Sequence, residues 1–380
     1  MNALTAAAFL PFAIWLYLLL GRGMFWRARE RDDAERIPEP AQWPSVLAVV
    51  PARNEADVIV RSVGSLLAQD YPGVFRIMVV DDQSEDGTGE VVRSLDTGGK
   101  LAVVAGGARP GGWTGKLWAM SQGAAHAAGN DAPDYLWFTD ADIAHTPDNL
   151  RRLVERAEAR HLVLTSLMAK LSCITAAEHF FIPAFVYYFE MLYPFAWVNH
   201  ANDTTAAAAG GCMLVRRNAL EAAGGLAAIK SAIIDDCALG RLMKTQGPIW
   251  LGLTDRAMSI RPYADMGSIR RMVSRSAYAQ LNYSPLLLAG TLAGLALMFL
   301  APPSLAVFGA GVLRMAGLLA WVVMAVSFVP MLRFYGRSRF WGLALPLIGV
   351  LYAAFTLDSA VQYWRGRGGM WKGRAQAMAR

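Results

Sequence analysis

Ile77-Met78-Val79-Val80-Asp81-Asp82-Gln83-Ser84-Glu85-Asp86-Gly87-Thr88 is a short apolar run that stops on two acids and a turn. The same pattern recurs in Tyr135-Leu136-Trp137-Phe138-Thr139-Asp140-Ala141-Asp142 and in Ala232-Ile233-Ile234-Asp235-Asp236. A continuous apolar run bounded by turn formers is what a strand buried on both faces requires. Acids at the ends of such runs add nothing to a core. In an open α/β sheet ligands bind in the crevice beyond the carboxyl ends of the strands, so three separated acidic pairs delivered there can converge on one polar site. Such a site takes a cation, or a ligand rich in hydroxyl and N–H groups.

Outward from these runs the pattern alternates. Residues 46–50, Val-Leu-Ala-Val-Val closed by Pro51, read as a parallel strand, and Val58, Ile59, Val63, Leu66 and Leu67 then stand at helical spacing before Tyr71-Pro72-Gly73. The spacing predicts further strands at 75–80, 101–105, 135–139 and 162–168, with helices at 88–95, 114–128 and 147–160. Alternating strands and helices with short connections make a doubly wound α/β sheet. Residues 174–198 differ, with nine aromatic rings from Phe180 to Trp197 and with Pro183 and Pro194 among them. Two readings stand there: a core helix, or an element at the membrane interface where amphipathic rings meet headgroups.

The 380 residues are 55% hydrophobic and only 17% charged, high for a soluble protein, and the excess is concentrated at the two ends. Leu4 to Leu20 carries no charge and is followed by Arg22, Arg27, Arg29, Arg31 and Arg36, the order of an uncleaved anchor with the next domain in the cytoplasm. Apolar stretches at 286–301, 304–332 and 340–362, broken by Pro302-Pro303 and by Arg333, Arg337 and Arg339, give three spans as the simplest count. Three crossings from the cytoplasm would put the basic tail outside, against the positive-inside tendency, so either one stretch is re-entrant or the tail departs from the rule. The expected organisation is a membrane anchor at 1–21, a basic juxtamembrane linker at 22–44, the sheet domain at 45–265, an interfacial amphipathic helix at 266–284, a transmembrane region at 285–362 and a basic tail at 363–380. The expected location is the inner, cytoplasmic membrane, multi-pass, with the sheet domain facing the cytoplasm. The net charge of +6 lies mainly in the juxtamembrane clusters, which points to anionic lipid and not to nucleic acid. Cys173, Cys212 and Cys237 show neither zinc spacing nor pairing logic.

Pro51-Ala52-Arg53-Asn54-Glu55 after the first strand, Asp81-Asp82 after the second, Asp140-Ala141-Asp142 and Asp235-Asp236 together resemble the inverting family 2 glycosyltransferases of the GT-A fold, over residues 45 to about 280. Gly112-Trp113-Thr114-Gly115-Lys116-Leu117-Trp118-Ala119 is similar to the subgroup associated with hopanoid biosynthesis and, more distantly, to ceramide glucosyltransferases and carotenoid glycosyltransferases. The resemblance implies a doubly wound mixed sheet of GT-A type with N- and C-terminal transmembrane helices. It also implies a nucleotide-sugar donor, UDP-linked by expectation, and transfer of one sugar with inversion to a lipid acceptor drawn from the bilayer.

The resemblance further assigns roles. Ala52, Arg53, Glu55 and Asp82, with Asp81 beside them, would hold the base and ribose of the donor, where a carboxylate accepts from N–H or hydroxyl groups; a turn or helix-cap role is the alternative for Asp82. Asp140 and Asp142 match the family's DXD signature and would reach Mg²⁺ or Mn²⁺ bridging the diphosphate, Asp142 more directly. Asp235-Asp236 stands in place of the family's Glu-Asp pair, making Asp236 the base and Asp235 its support; capping of the helix from Cys237 to Lys244 is the alternative. Lys116 can meet phosphate or sugar oxygens, or be a solvated lysine. Gly210-Gly211 resembles the turn that lets backbone approach the donor sugar, and would look the same as a plain tight turn. Arg275 aligns with the arginine of the family's Gln/Arg-x-x-Arg-Trp segment, with Ser276 in place of the tryptophan, and can contact diphosphate or a headgroup. That tryptophan packs on the acceptor sugar in processive synthases, so its absence argues for a single transfer. His145 is a minor candidate metal ligand. Two rival functions remain: a catalytically silent nucleotide-sugar scaffold, and a metal-dependent nucleotidyltransferase, which would use Asp140 and Asp142 but leaves Asp236 unexplained.

Overall fold

The computed structural model describes residues 9–35, 37–95, 98–126 and 132–369. The chain divides into two compact units, one formed by residues 30–172 and 197–261, the other by residues 1–29, 173–196 and 262–380.

The first unit is built on eight strands among the described residues: β1 (Val46–Ala52), β2 (Phe75–Asp81), β3 (Leu101–Ala105), β4 (Tyr135–Phe138), β5 (Ile143–His145), β6 (Leu164–Lys170), β7 (Met213–Arg216) and β8 (Ile249–Ser259). They form one sheet in the order β3-β2-β1-β4-β7-β6-β8-β5. Pairing is parallel from β3 to β4, antiparallel on both sides of β7, parallel between β6 and β8, and antiparallel between β8 and β5. The sheet is therefore mixed. Every residue of β1 is buried, as its uninterrupted apolar run requires of a strand flanked on both edges and covered on both faces.

Helices α1 (Ile59–Leu67), α2 (Thr88–Arg93), α3 (Gly115–Ala125), α4 (Asn149–Ala159), α5 (Arg217–Ala222) and α6 (Asp235–Lys244) accompany the sheet. On α1 the buried side chains Ile59, Val63 and Leu66 recur at helical spacing, and Ser62 on the same face donates to the Ile143 carbonyl at 2.7 Å. The expected strands and helices from 46 to 168 are present with ends shifted by a few residues; positions 127 and 128 of the helix expected at 114–128 lie outside the described residues.

Three strands carry weaker signals. β5 is three residues long and β7 four, and β8 contains Gly252 and the pair Asp255-Arg256. Gly252 is required because the Trp250 ring folds over it: an added Cβ would lie 2.1 Å from that ring. The Arg156 guanidinium stacks on the same indole, 4.0 Å from its centroid.

The second unit is helical. Among the described residues three helices are long and apolar enough to cross a membrane, Pro285–Phe308, Val312–Phe334 and Arg339–Trp364. The first runs through Pro302-Pro303, where the sequence suggests a break, because a π-helical turn at Ala296–Leu300 precedes the prolines and places them in the first turn of the following segment, which needs no N–H partner there. The interruption falls instead after Phe308, at Gly309 and Gly311. An N-terminal crossing is not shown. The apolar helix Leu10–Leu20 has 11 residues, about 16 Å against the roughly 30 Å of a hydrocarbon core. It ends at Gly21, and Arg22 just beyond donates to the carbonyls of Met191 and Leu192. Residues 1–8 of the expected anchor, Arg36 of the linker and residues 370–380 of the basic tail lie outside the described residues.

In the aromatic segment 174–198, Phe181, Tyr187 and Phe195 are buried and the other six rings are half-buried. Ala176–Leu192 is one helix opened by a Thr175/Glu178 capping box, and it continues through Pro183. Phe181 meets Tyr352 and Phe355, and the buried Tyr187 contacts Phe25 and Phe328 and hydrogen-bonds Ser327.

In the sheet unit, α6 crosses the buried tract Ala206–Ala209 at Gly240, where an added Cβ would lie 2.6 Å from the Ala207 carbonyl carbon. Backbone cannot yield as a flexible side chain can. Gly240→Val should lower stability by about 1–3 kcal/mol, read as a fall in melting temperature by circular dichroism; unchanged melting would contradict this close approach.

Candidate active site

The site residues at 52–55, 81–82 and 140–142 stand where strands end, whereas the run Ala232-Ile233-Ile234, expected to be like them, forms no strand and leads Asp235 and Asp236 into the first turn of α6. Ala52 and Asp81 are register partners at the ends of β1 and β2, and the Thr139 N–H beyond β4 donates to the Val49 carbonyl. The loops after β1 and β2 are laced together. Arg53 Nη1 donates to the carbonyls of Asp82 and Gln83 at 2.6 and 2.8 Å. The Asn54, Glu55 and Ala56 N–H groups reach Ser84 Oγ, Thr88 Oγ1 and Asp86 Oδ2, and Asn54 Oδ1 accepts from the Glu85 N–H. Asn54 and Gln83 both adopt positive φ, the left-handed conformation that Asn tolerates well and that for Gln83 is held by this lacing. Asp82 is buried, and its N–H donates to the Ala52 carbonyl. The Asp81 side chain belongs to the turn: Oδ1 accepts from the Ser84 N–H, and Oδ2 occupies the space a side chain at Gly89 would need.

Thr139, next to Asp140, and His145, at the end of β5, belong to a buried relay. Asn149 Nδ2 lies 2.9 Å from His145 Nδ1, His145 Nε2 lies 2.9 Å from Thr139 Oγ1, and Thr139 Oγ1 donates to the Gly211 carbonyl. Because the Asn149 amide donates, Nδ1 of His145 is the acceptor and Nε2 carries the proton. His145 also packs 4.6 Å from Trp137, and burial pushes its pKa down to about 3. Both ring nitrogens are thus committed. The histidine is a neutral strut beneath the acids and not a metal ligand.

Lys116, in the first turn of α3 behind the Thr114 cap, is the hub of the site. Its ammonium lies 2.7 Å from Asp140 Oδ1 and 3.2 Å from Asp235 Oδ2, so the solvated-lysine alternative does not hold. Burial works against this charge, but the negative charges of Asp140, Asp235 and Asp236 outweigh it and hold the pKa above the usual lysine value. Burial pushes the Asp140 carboxyl up in spite of Lys116, with the charge of Asp142 adding to the shift.

Asp236 sits in the first turn of α6 with Asp235; the N-cap is Ile234, which offers no side-chain oxygen. Asp236 Oδ1 accepts from the Cys237 N–H at 2.7 Å and Oδ2 from the Gly210 N–H at 3.0 Å. One carboxylate therefore caps its own helix and clamps the glycine turn. Burial, and then the Asp235 charge, push its pKa up to about 6 against the opposing pull of Lys116 and the two N–H groups. Gly210 is packed between Lys116 Nζ and Asp236, and Gly211 against Ala169 and Ile143.

Sequence reasoning missed Arg261. Standing just beyond β8, it pairs with Glu55 and with Asp57, and its Nε faces Asp142 Oδ2 at 3.8 Å. The structure thus joins Glu55 to Asp142 through Arg261, and Asp140 to Asp235 and Asp236 through Lys116. Arg275 belongs to the other unit, at the end of the helix Met266–Ser274. Among the described residues no group of three or more His, Cys, Asp or Glu side chains is arranged to hold a metal. The donor set that is present, the two carboxylates of Asp140 and Asp142 with oxygen ligands only, suits a hard cation that takes its remaining ligands from diphosphate and water.

A parallel sheet extended by antiparallel strands, with acids beyond β1, β2 and β4, defines a GT-A-like α/β protein. The family model of glycosyl transferase family 2 matches residues 47–224 of this chain. Succinoglycan biosynthesis protein ExoO of Rhizobium meliloti (strain 1021) is 38% identical over 117 residues, 30% of this chain and 30% of that protein. Beta-monoglucosyldiacylglycerol synthase of Synechocystis sp. is 36% identical over 124 residues, 32% of this chain and 24% of that protein. The chain matches less than a third of the length of these relatives. The solved mannosyltransferase PcManGT from Pyrobaculum calidifontis, in complex with GDP-Man and Mn2+, shares the fold at a TM-score of 0.57 and 20% identity, over 94% of this chain and 98% of that one.

A carboxyl whose pKa is raised by folding contributes stability below its unfolded value near 3.8 and loses it as pH rises through about 6. Without divalent metal, Asp236→Asn should therefore melt higher than wild type at pH 7 and lose this part of the decline between pH 4 and 6, as followed by differential scanning fluorimetry. Equal melting curves at both pH values would contradict the crowded-acid geometry.

Proposed function

We propose that the chain is a membrane-associated, inverting glycosyltransferase that moves one sugar from a nucleotide-diphospho-sugar, UDP-linked by expectation, to a lipid acceptor. The observation that carries the reading is the Asp236 carboxyl, raised into the range of a working base and held by Gly210 beside the Lys116–Asp140 pair. The family match over residues 47–224 supports the reaction class. The three long apolar helices and the lipid named in the Synechocystis relative support a lipid acceptor. The segment Gly112–Ala119 is the ground for a hopanoid-type lipid. Inner-membrane residence with the sheet unit facing the cytoplasm is part of the same proposal.

In this reading Asp236 removes the acceptor hydroxyl proton as that oxygen attacks the anomeric carbon, the bond to the nucleoside diphosphate breaks on the opposite face, and the bonding pair leaves with the phosphate. Asp235 keeps the Asp236 pKa high. The laced loops bearing Ala52, Arg53, Glu55 and Asp82 receive the nucleotide, with Asp81 shaping the turn that presents Asp82. Gly210 and Gly211 let backbone approach the sugar, and Lys116 is available to anionic oxygens. Asp140 and Asp142 would hold Mg²⁺ or Mn²⁺, which when bound neutralises charge on the diphosphate.

The test is nucleotide release by the detergent-purified chain from a panel of UDP- and GDP-sugars, with cell lipid extract, with and without Mn²⁺ or Mg²⁺. Lipid-stimulated release from one donor is expected; no release from any donor, with nucleotide-sugar still bound, would overturn the reading in favour of a scaffold. Asp236→Asn should reduce turnover by about 10²–10⁴-fold while keeping donor affinity, whereas Asp142→Ala should weaken metal-dependent donor binding. Because the base acts ionised, kcat/KM should rise with pH through about 6 and then level; a profile flat from pH 5 to 8 would remove Asp236 from that role.

A further inference from the structure

Before a donor arrives, the acids of the site are balanced by side chains of the protein itself. Lys116 meets Asp140 at 2.7 Å and Asp235 at 3.2 Å, and its side chain is only 17% exposed. Gly210 leaves room for this arrangement, since an added Cβ would stand 3.0 Å from the ammonium. On the other acid of the pair, Arg261 lies farther away at 3.8 Å and is shared with Glu55 and Asp57. Of the two cations Lys116 makes the closer contact. A buried ammonium persists only where carboxylates compensate it, and the carboxylates depend on it equally. A divalent ion that bonds to either oxygen of Asp140 brings its charge beside the ammonium already held at Oδ1, so the two cations repel and compete for one carboxylate.

Resting on the transferase reading, we propose that Lys116 is an internal counter-ion that competes with divalent metal for Asp140. It keeps free metal weakly bound until a nucleoside diphosphate brings the anionic oxygens that receive the displaced ammonium. Metal and nucleotide then bind with positive coupling, and that coupling passes through one lysine. Lys116 is on this account a positioning residue, and its effect is readable without turnover.

The test is Mn²⁺ binding to the full-length chain in detergent, followed by electron paramagnetic resonance without nucleotide. Lys116→Met and Lys116→Gln should each bind free Mn²⁺ about tenfold more tightly than wild type. Lys116→Arg should stay near wild type, and Lys116→Met with Asp140→Asn should lose the gain. Adding UDP, and separately GDP, should strengthen Mn²⁺ binding by wild type more than by Lys116→Met with at least one of the two. Unchanged or weaker Mn²⁺ binding in both neutral variants, or no Mn²⁺ binding by any of these proteins, overturns the competition. Transfer that persists in that case leaves the transferase reading intact. Tighter Mn²⁺ binding in Lys116→Met, with no transfer by wild type from any donor, supports the competition and overturns the transferase reading.

Discussion

One ammonium group, Lys116 Nζ, stands among carboxylates that come from separate parts of the chain: Asp140 after β4, and Asp235 with Asp236 from the first turn of α6. These three acids, with Asp142 beside them, would repel one another in a partly buried crevice and disfavour their own ionised forms. Charge balance is therefore the condition on which the site rests. Lys116 meets it on one side and Arg261 on the other, and the turn at Gly210 packs close to both Lys116 and Asp236. The residual imbalance falls on Asp236, whose carboxyl is pushed up to about 6.

The supporting structure is arranged so that these acids have little freedom. Asn149, His145 and Thr139 carry a buried hydrogen-bond relay from α4 to the Gly211 carbonyl, across the root of the loop that holds Asp140. Side-chain oxygens of Ser84, Asp86 and Thr88 satisfy the backbone N–H groups of the loop after β1. A site whose charges are fixed before substrate arrives has less reorganisation to supply during reaction.

Much of this was legible in the sequence, for a physical reason. Strands buried on both faces must be continuously apolar, so β1, β2 and β4 stand out, and the acids that follow them mark the crevice at their carboxyl ends. The partners of those acids were not legible. Arg261 meets Glu55 across a separation of 206 residues, and no local pattern records such a contact. Lys116 belongs to a recognisable segment, yet its place between Asp140 and Asp235 depends on how α3 and α6 fold over the sheet. Strands β5, β7 and β8 escaped because they are short or interrupted by glycine and charge. Pro302-Pro303 misled as a break because a π-helical turn accommodates it.

The most direct measurement is the structure of the detergent-solubilised chain with Mn²⁺ and a UDP-sugar bound. The account predicts the ion on Asp140 and Asp142, the diphosphate next to a Lys116 that has left Asp140, and the Asp236 carboxylate open on the side of the anomeric carbon away from the phosphate. A nucleotide seated away from these residues, or a Lys116–Asp140 contact that survives with metal and nucleotide in place, would contradict it.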